Sequence, residues 1–169
     1  HLPLQMAAVH LRAMAGDFGA AAQSASRAAA AFPASTEAAR EAAVLLAAAG
    51  RPEEAIGAAR QWRQRLAQGT LPADVFIART LLRVQRPRQA LEQLEPYFDA
   101  SEKQPQALAQ IVTLRAMALV HTGRTDRAAE LLRPLLDRNP QWRRAWISLA
   151  AQELNSPAAA RSWLDDVEK

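Results

Sequence analysis

One pattern of punctuation returns along the chain, and it limits the fold more than any other feature. An apolar helical run ends in a short polar break, and a new helix follows with alanine three or four residues inside. Ala15 to Ala21, Gly50 to Ala55, Gln85 to Ala90 and Gly123 to Ala128 all read this way, and Asn155 to Ala160 is a degenerate fifth copy. The alanines Ala21, Ala55, Ala90, Ala128 and Ala160 are spaced by 34, 35, 38 and 32 residues. A helical hairpin of that length cannot bury its own apolar face. A chain that repeats it is an array of hairpins sharing a core with their neighbours.

Each part of the break has a physical reason. Gly16, Gly50 and Gly123 stand where a first helix must end in the left-handed conformation, and Asn155 is the usual substitute there. Pro52, Pro87 and Pro157 suit the first turn of the second helix, where the missing N–H costs nothing. Glu53, Glu54 and Asp126 then face the positive end of the helix dipole. The recurring alanine is small because the two helices cross closely at that point. Apolar residues at spacings of three and four mark first helices through Val44, Ile77 and Val112, and second helices through Ala90, Leu94 and Phe98, and through Ala128, Leu132 and Leu135. Pro33 and Pro140 stop helices at the ends of two units.

Composition agrees with an all-α chain. Half of the 169 residues are apolar but only 5% are aromatic, and roughly a quarter are alanine, the best helix former. The computed pI of about 10.6 overstates the charge, because the net charge is +4 and acidic residues are interspersed with the basic ones. Lysine occurs only at Lys103 and Lys169. The bias to arginine and alanine reads as a GC-rich, bacterial coding sequence rather than as a nucleic-acid footprint.

The period, the glycine and proline punctuation and the small residues at Val9, Ala43, Ala78, Ala116 and Ser148 resemble the tetratricopeptide repeat (TPR) family. The resemblance implies an all-α fold, a right-handed α-solenoid of antiparallel helix pairs. It covers residues 1–169 as a single repeat domain of five units, about 2–35, 36–69, 71–104, 109–142 and 141–169, the fourth clearest and the first and last degenerate. The family's tryptophan and tyrosine are mostly missing from the first helices. Arg115 stands where an apolar residue is usual, and the Ser101 to Pro105 segment lengthens one connection. The chain begins at His1 rather than at methionine, which reads as a segment of a longer, processed array.

In this family the first helices line a concave surface that receives an extended peptide or a partner helix. The resemblance places Met6, His10 and Met14 there from the first unit, and Arg40, Glu41 and Val44 from the second. The third unit adds Phe76, Arg79 and Arg83, the fourth Leu114, Met117 and His121, and the fifth Trp142 and Trp146. Arg79 and Arg83, one turn apart, would hold an acidic or carboxylate-bearing segment while Met117 and Trp146 receive apolar anchors. The competing reading has the arginines solvated or paired with Glu41 and the tryptophans packed between units. The lysine and asparagine clamp of chaperone-tail-binding TPR modules is absent at Met6, His10 and Val44.

These residues point to a protein-binding scaffold in a bacterial assembly, secretion or envelope system, with an unidentified protein or peptide partner. Two other readings stand beside it. Apolar residues near Trp163 would leave the last helix open to a further repeat or to a homodimer through terminal helices. Alternatively, Arg60, Arg63 and Arg65 on one second helix, with Arg86 and Arg88, would contact RNA phosphates. Interleaved Glu53, Glu54, Glu92 and Glu95 count against RNA, and no first helix repeats a base-reading pair. His10 and His121 lack a second metal ligand at helical spacing, and Met6 and Met14 read as packing, so no metal or cofactor is expected. With no nucleophile and base at a meaningful spacing, no phosphate loop and no HExxH, the chain reads as non-enzymatic. No segment reads as a membrane span, and the residues leave bacterial cytoplasm and periplasm both open.

Overall fold

The computed structural model describes residues 1–136. The fifth unit lies outside them, and with it Trp142, Trp146 and Trp163. Among the described residues the regular structure is entirely helical: α1 (Leu2–Met14), α2 (Phe18–Ala31), α3 (Thr36–Ala48), α4 (Pro52–Arg65), α5 (Leu71–Arg83), α6 (Pro87–Leu94), a 3-10 turn (Glu95–Tyr97), α7 (Phe98–Lys103), α8 (Ala109–His121) and α9 (Thr125–Leu136). The chain divides into two compact units, His1–Thr80 and a second that begins at Leu81.

In the first unit α1 packs on α2, α2 on α3 and α3 on α4. Both hairpins turn through the same backbone device. At the end of α1 the Gly16 N–H donates to the Ala13 carbonyl and the Asp17 N–H to the Arg12 carbonyl. Gly50 and Arg51 repeat this on Ala47 and Leu46 at the end of α3. This 6→1 and 5→2 pairing satisfies carbonyls that would otherwise be orphaned, and it requires positive φ at one residue, met by Gly16 at 80° and Gly50 at 72°. Asp17 and Ser35 cap the N-termini of α2 and α3, accepting from the Ala20 and Ala38 N–H at 2.9 and 3.1 Å. The core is built largely of alanine, with Ala21, Ala22, Ala25 and Ala28 of α2 against Ala38, Ala42 and Leu45 of α3. Small side chains let these helices approach closely. Trp62 of α4 and Phe76 of α5 meet edge to face at 6.3 Å, beside Ala39 and Ala73.

In the second unit α8 packs on α6, α7 and α9. Every residue from Ile111 to Leu119 is buried, Thr113 and Arg115 among them, so this stretch of α8 is covered on all sides. Gly123 and Arg124 close the turn after α8 as in the first unit. At the turn after α5 the same two bonds form, from Gln85 to Leu82 and from Arg86 to Leu81, but with Gln85 in the left-handed region at φ 59°.

The sequence predicts one second helix running through Phe98, and here the structure differs. The helix stops at Leu94 and restarts at Phe98, because Pro96 has no N–H to continue the ladder and its ring crowds the preceding turn. The lengthened connection, Ser101 to Pro105, begins inside the resulting short helix, whose last turn it supplies as Ser101 to Lys103.

Candidate functional site

The first unit brings several of the residues assigned to the binding surface together on α1 and α3. Glu41 is the hub, with its carboxylate 3.6 Å from His10 Nε2 and 3.9 Å from the Arg40 guanidinium. His10 and Arg40 remain exposed, and Val44, one turn beyond Arg40, is 41% accessible. Met14 extends into solvent at the end of α1. The result is a small amphipathic patch with two basic groups, one carboxylate and apolar neighbours. Met6 does not join it: it is buried in the alanine core, which its flexible side chain fills. Phe76 is half-buried against Trp62 and has a packing role. Arg79 is half-buried and Arg83 exposed, both on α5.

The second unit departs further from the expected surface. Leu114 and Met117, assigned as accessible apolar contacts, are buried because α8 is covered all round. Neither can receive an anchor residue in this conformation. His121 is half-buried and borders a shallow cleft of about 500 Å³ with Arg86, Arg88 and Thr122.

Sequence reasoning passed over an organised polar site among the described residues of this unit. Arg115, in mid-α8, is only 4% exposed. Its Nη1 donates to the Phe98 carbonyl at 3.2 Å and to Ser101 Oγ at 2.7 Å, and its Nη2 to Glu102 Oε1 at 2.9 Å. The guanidinium lies over the Phe98 ring, 3.7 Å from its centroid. All of these partners sit on α7, so the lengthened connection is pinned by one side chain. Glu102 also takes Arg127 Nη2 at 3.3 Å, and Arg127 Nη1 binds Glu130 at 2.7 Å. Burial pushes the Arg115 guanidinium below its usual pKa, with its Glu102 hydrogen bond opposing, whereas the Glu130 hydrogen bond raises that of Arg127. The network borders a cleft of about 440 Å³ rimmed by Glu92, Glu95 and Asp99. The available signal was an arginine at a helix position that the repeat reserves for apolar residues.

Comparison with known proteins accounts for the repeating hairpins. Two family models, each described as a tetratricopeptide repeat, match residues 6–70 and 109–151. The chain belongs to the tetratricopeptide repeat family. No curated protein matches it significantly. Among solved structures it is similar to MamA 41-end from Desulfovibrio magneticus RS-1, with a TM-score of 0.71 and 16% identity over 99% of this chain and 93% of that one. It is also similar to the TPR-like repeats of a putative kinesin light chain from Podosopora anserina, with a TM-score of 0.66 and 19% identity over 99% and 93%. At these identities the likeness is one of fold.

As a TPR protein the chain is a protein–protein interaction scaffold, and its close-packing positions follow the TPR pattern. Val9, Ala43, Ala78 and Ala116 in first helices and Ala21, Ala55, Ala90 and Ala128 in second helices are all fully buried. The arginines that an RNA surface would use are partly committed elsewhere. Arg63 Nε is 2.7 Å from Asp74, which is buried, and Arg65 donates to the Ser35 and Ala29 carbonyls. No described helix is long and apolar enough to cross a membrane.

Proposed function

We propose that this TPR chain holds a peptide or partner-protein segment on its first helices, with the α1 and α3 patch as the contact in the first unit. The observation that carries this reading is the exposed cluster of His10, Arg40 and Val44 around Glu41. Arg40 and His10 offer donors to a carboxylate or carbonyl of the bound segment. Val44 and Met14 offer apolar contact, and Glu41 fixes the basic groups in place so that less side-chain entropy is lost on binding. Arg79 and Arg83, one turn apart on α5, are further basic residues of a first helix, in keeping with an acidic partner. We take the role to be binding without catalysis, within a bacterial assembly, secretion or envelope system.

A photo-crosslinker placed at Val44 tests this. It is expected to capture a discrete protein partner whose yield falls at least several-fold in Arg40→Glu, with helical content unchanged. Capture that is indifferent to both Arg40→Glu and His10→Ala would overturn the assignment of this patch.

A further inference from the structure

The sequence along one wall of the 440 Å³ cleft repeats itself. Leu91, Glu92 and Glu95 run apolar, acidic, two other residues, acidic. A shift of seven residues, about two helical turns, reproduces this order as Phe98, Asp99 and Glu102. All six border the same cleft, so the break at Pro96 has not turned the two copies apart. The second copy already holds a guanidinium. Arg115 lies 3.7 Å from the Phe98 ring centroid and donates to Glu102 Oε1 at 2.9 Å, with the charge of Asp99 as a further attraction. The first copy has no such cation. Glu92 and Glu95 are exposed, and neither makes a hydrogen bond or an ion pair with any described residue.

We propose that Leu91, Glu92 and Glu95 receive an arginine side chain from a partner protein, as Phe98, Asp99 and Glu102 receive Arg115. The cations of the cleft leave room for it. Arg115 and Arg127 share Glu102, and Arg127 also binds Glu130. Arg124 Nε reaches Thr122 Oγ1 at 3.4 Å. Were Arg124 to turn to one carboxylate of Glu92, Glu95 and Asp99, two would still lack a cation. This acidic wall stands in a chain of net charge +4, so it does not follow from overall composition. Leu91 and Leu119 offer apolar surface to the methylene stem of the incoming side chain. A planar guanidinium has donors enough to meet both carboxylates, whereas an ammonium is a compact, more strongly hydrated charge. Because the carboxylates are exposed, solvent screens the pairing and a single arginine binds weakly. This site is separate from the α1 and α3 patch and selects the opposite charge.

The test is a two-dimensional NMR titration of the 169-residue chain with a blocked pentapeptide, one central arginine flanked by alanines. Saturable shifts are expected at the amides of Leu91, Glu92, Glu95 and Leu119, with a dissociation constant in the millimolar range. The same peptide with citrulline should give no saturable shift, and with lysine it should bind several-fold more weakly. Glu92→Gln with Glu95→Gln should abolish the shifts while leaving circular dichroism unchanged, since both side chains are exposed and unpaired. The proposal is overturned by an absence of saturable shifts at these amides, or by shifts that persist in the double glutamine variant. Equal binding of the citrulline or the lysine peptide would overturn it as well.

Discussion

Gln85 does the work of a glycine without being one. At the matching turns Gly16, Gly50 and Gly123 have φ of 80°, 72° and 76°, and Gln85 is held at 59° by the same pair of backbone bonds. A side chain with a Cβ costs about 1 kcal/mol or more in that region, partly offset by the extra entropy that glycine loses on folding. Gln85→Gly should therefore stabilise the chain by about 0.5–1 kcal/mol, seen as a higher midpoint in thermal or urea unfolding. Arg115 is a different kind of exception. Truncation to alanine removes a stacked, buried guanidinium and leaves the acceptor side of buried Ser101 Oγ without its donor, while the Phe98 carbonyl keeps the Ser101 hydroxyl at 2.8 Å, at a cost of about 2–4 kcal/mol. Arg115→Met, which refills the volume, should lose less. The two cases show what single residues disclose. The break at Gln85 was legible from its place in the period, but its left-handed conformation was not, because no glycine or asparagine marks it. Arg115 was legible only as a misfit, because its partners arrive from an insertion whose path no local pattern specifies.

At the scale of elements, the short helix α7 depends on that one arginine. It has six residues, too few to be stable alone, and its hydrogen-bonded contacts to α8 converge on Arg115. In Arg115→Ala, amide exchange across Phe98–Lys103 should accelerate well beyond that of α8, as measured by exchange mass spectrometry. Equal acceleration of both helices would mean that α7 is held by something else. Helix α4 offers a test of the close crossing read from the repeat. Ala55 is fully buried against its neighbours, whereas Gly57, two residues on, is exposed with open space around its Cβ position. Ala55→Leu should cost about 1–3 kcal/mol through overpacking, and Gly57→Ala should gain about 0.5–1 kcal/mol from helix propensity. The hairpins and their turns were readable because glycine, proline and alanine report backbone demands directly. The break at Pro96 was missed because apolar spacing continued across it. Leu114 and Met117 were misassigned to an accessible face because periodicity cannot say how many sides of α8 are covered.

For the whole molecule the question is what its basic charge is for. The chain carries 21 basic and 17 acidic residues, giving +4, and a high pI follows from arginine being always protonated. A surface that binds phosphates needs guanidinium groups with free donors, all facing one way. Several of the arginines here are instead turned inward to their own chain. Arg51 is bidentate on Glu54, Arg63 is on Asp74, Arg65 is on two carbonyls, and Arg115 and Arg127 share Glu102. Such pairs leave little net field beyond a Debye length, roughly 8 Å at physiological salt. Single-stranded RNA should accordingly bind no more tightly than about 100 µM at that salt, as read by fluorescence anisotropy. If Arg60, Arg86 and Arg88 acted as a phosphate track in spite of this, the affinity would be tighter, would fall steeply with the logarithm of salt, and would drop in Arg60→Ala. Neither result would bear on the proposed α1 and α3 patch, because its donors, His10 and Arg40, belong to α1 and α3, whereas Arg60 is on α4 and Arg88 on α6.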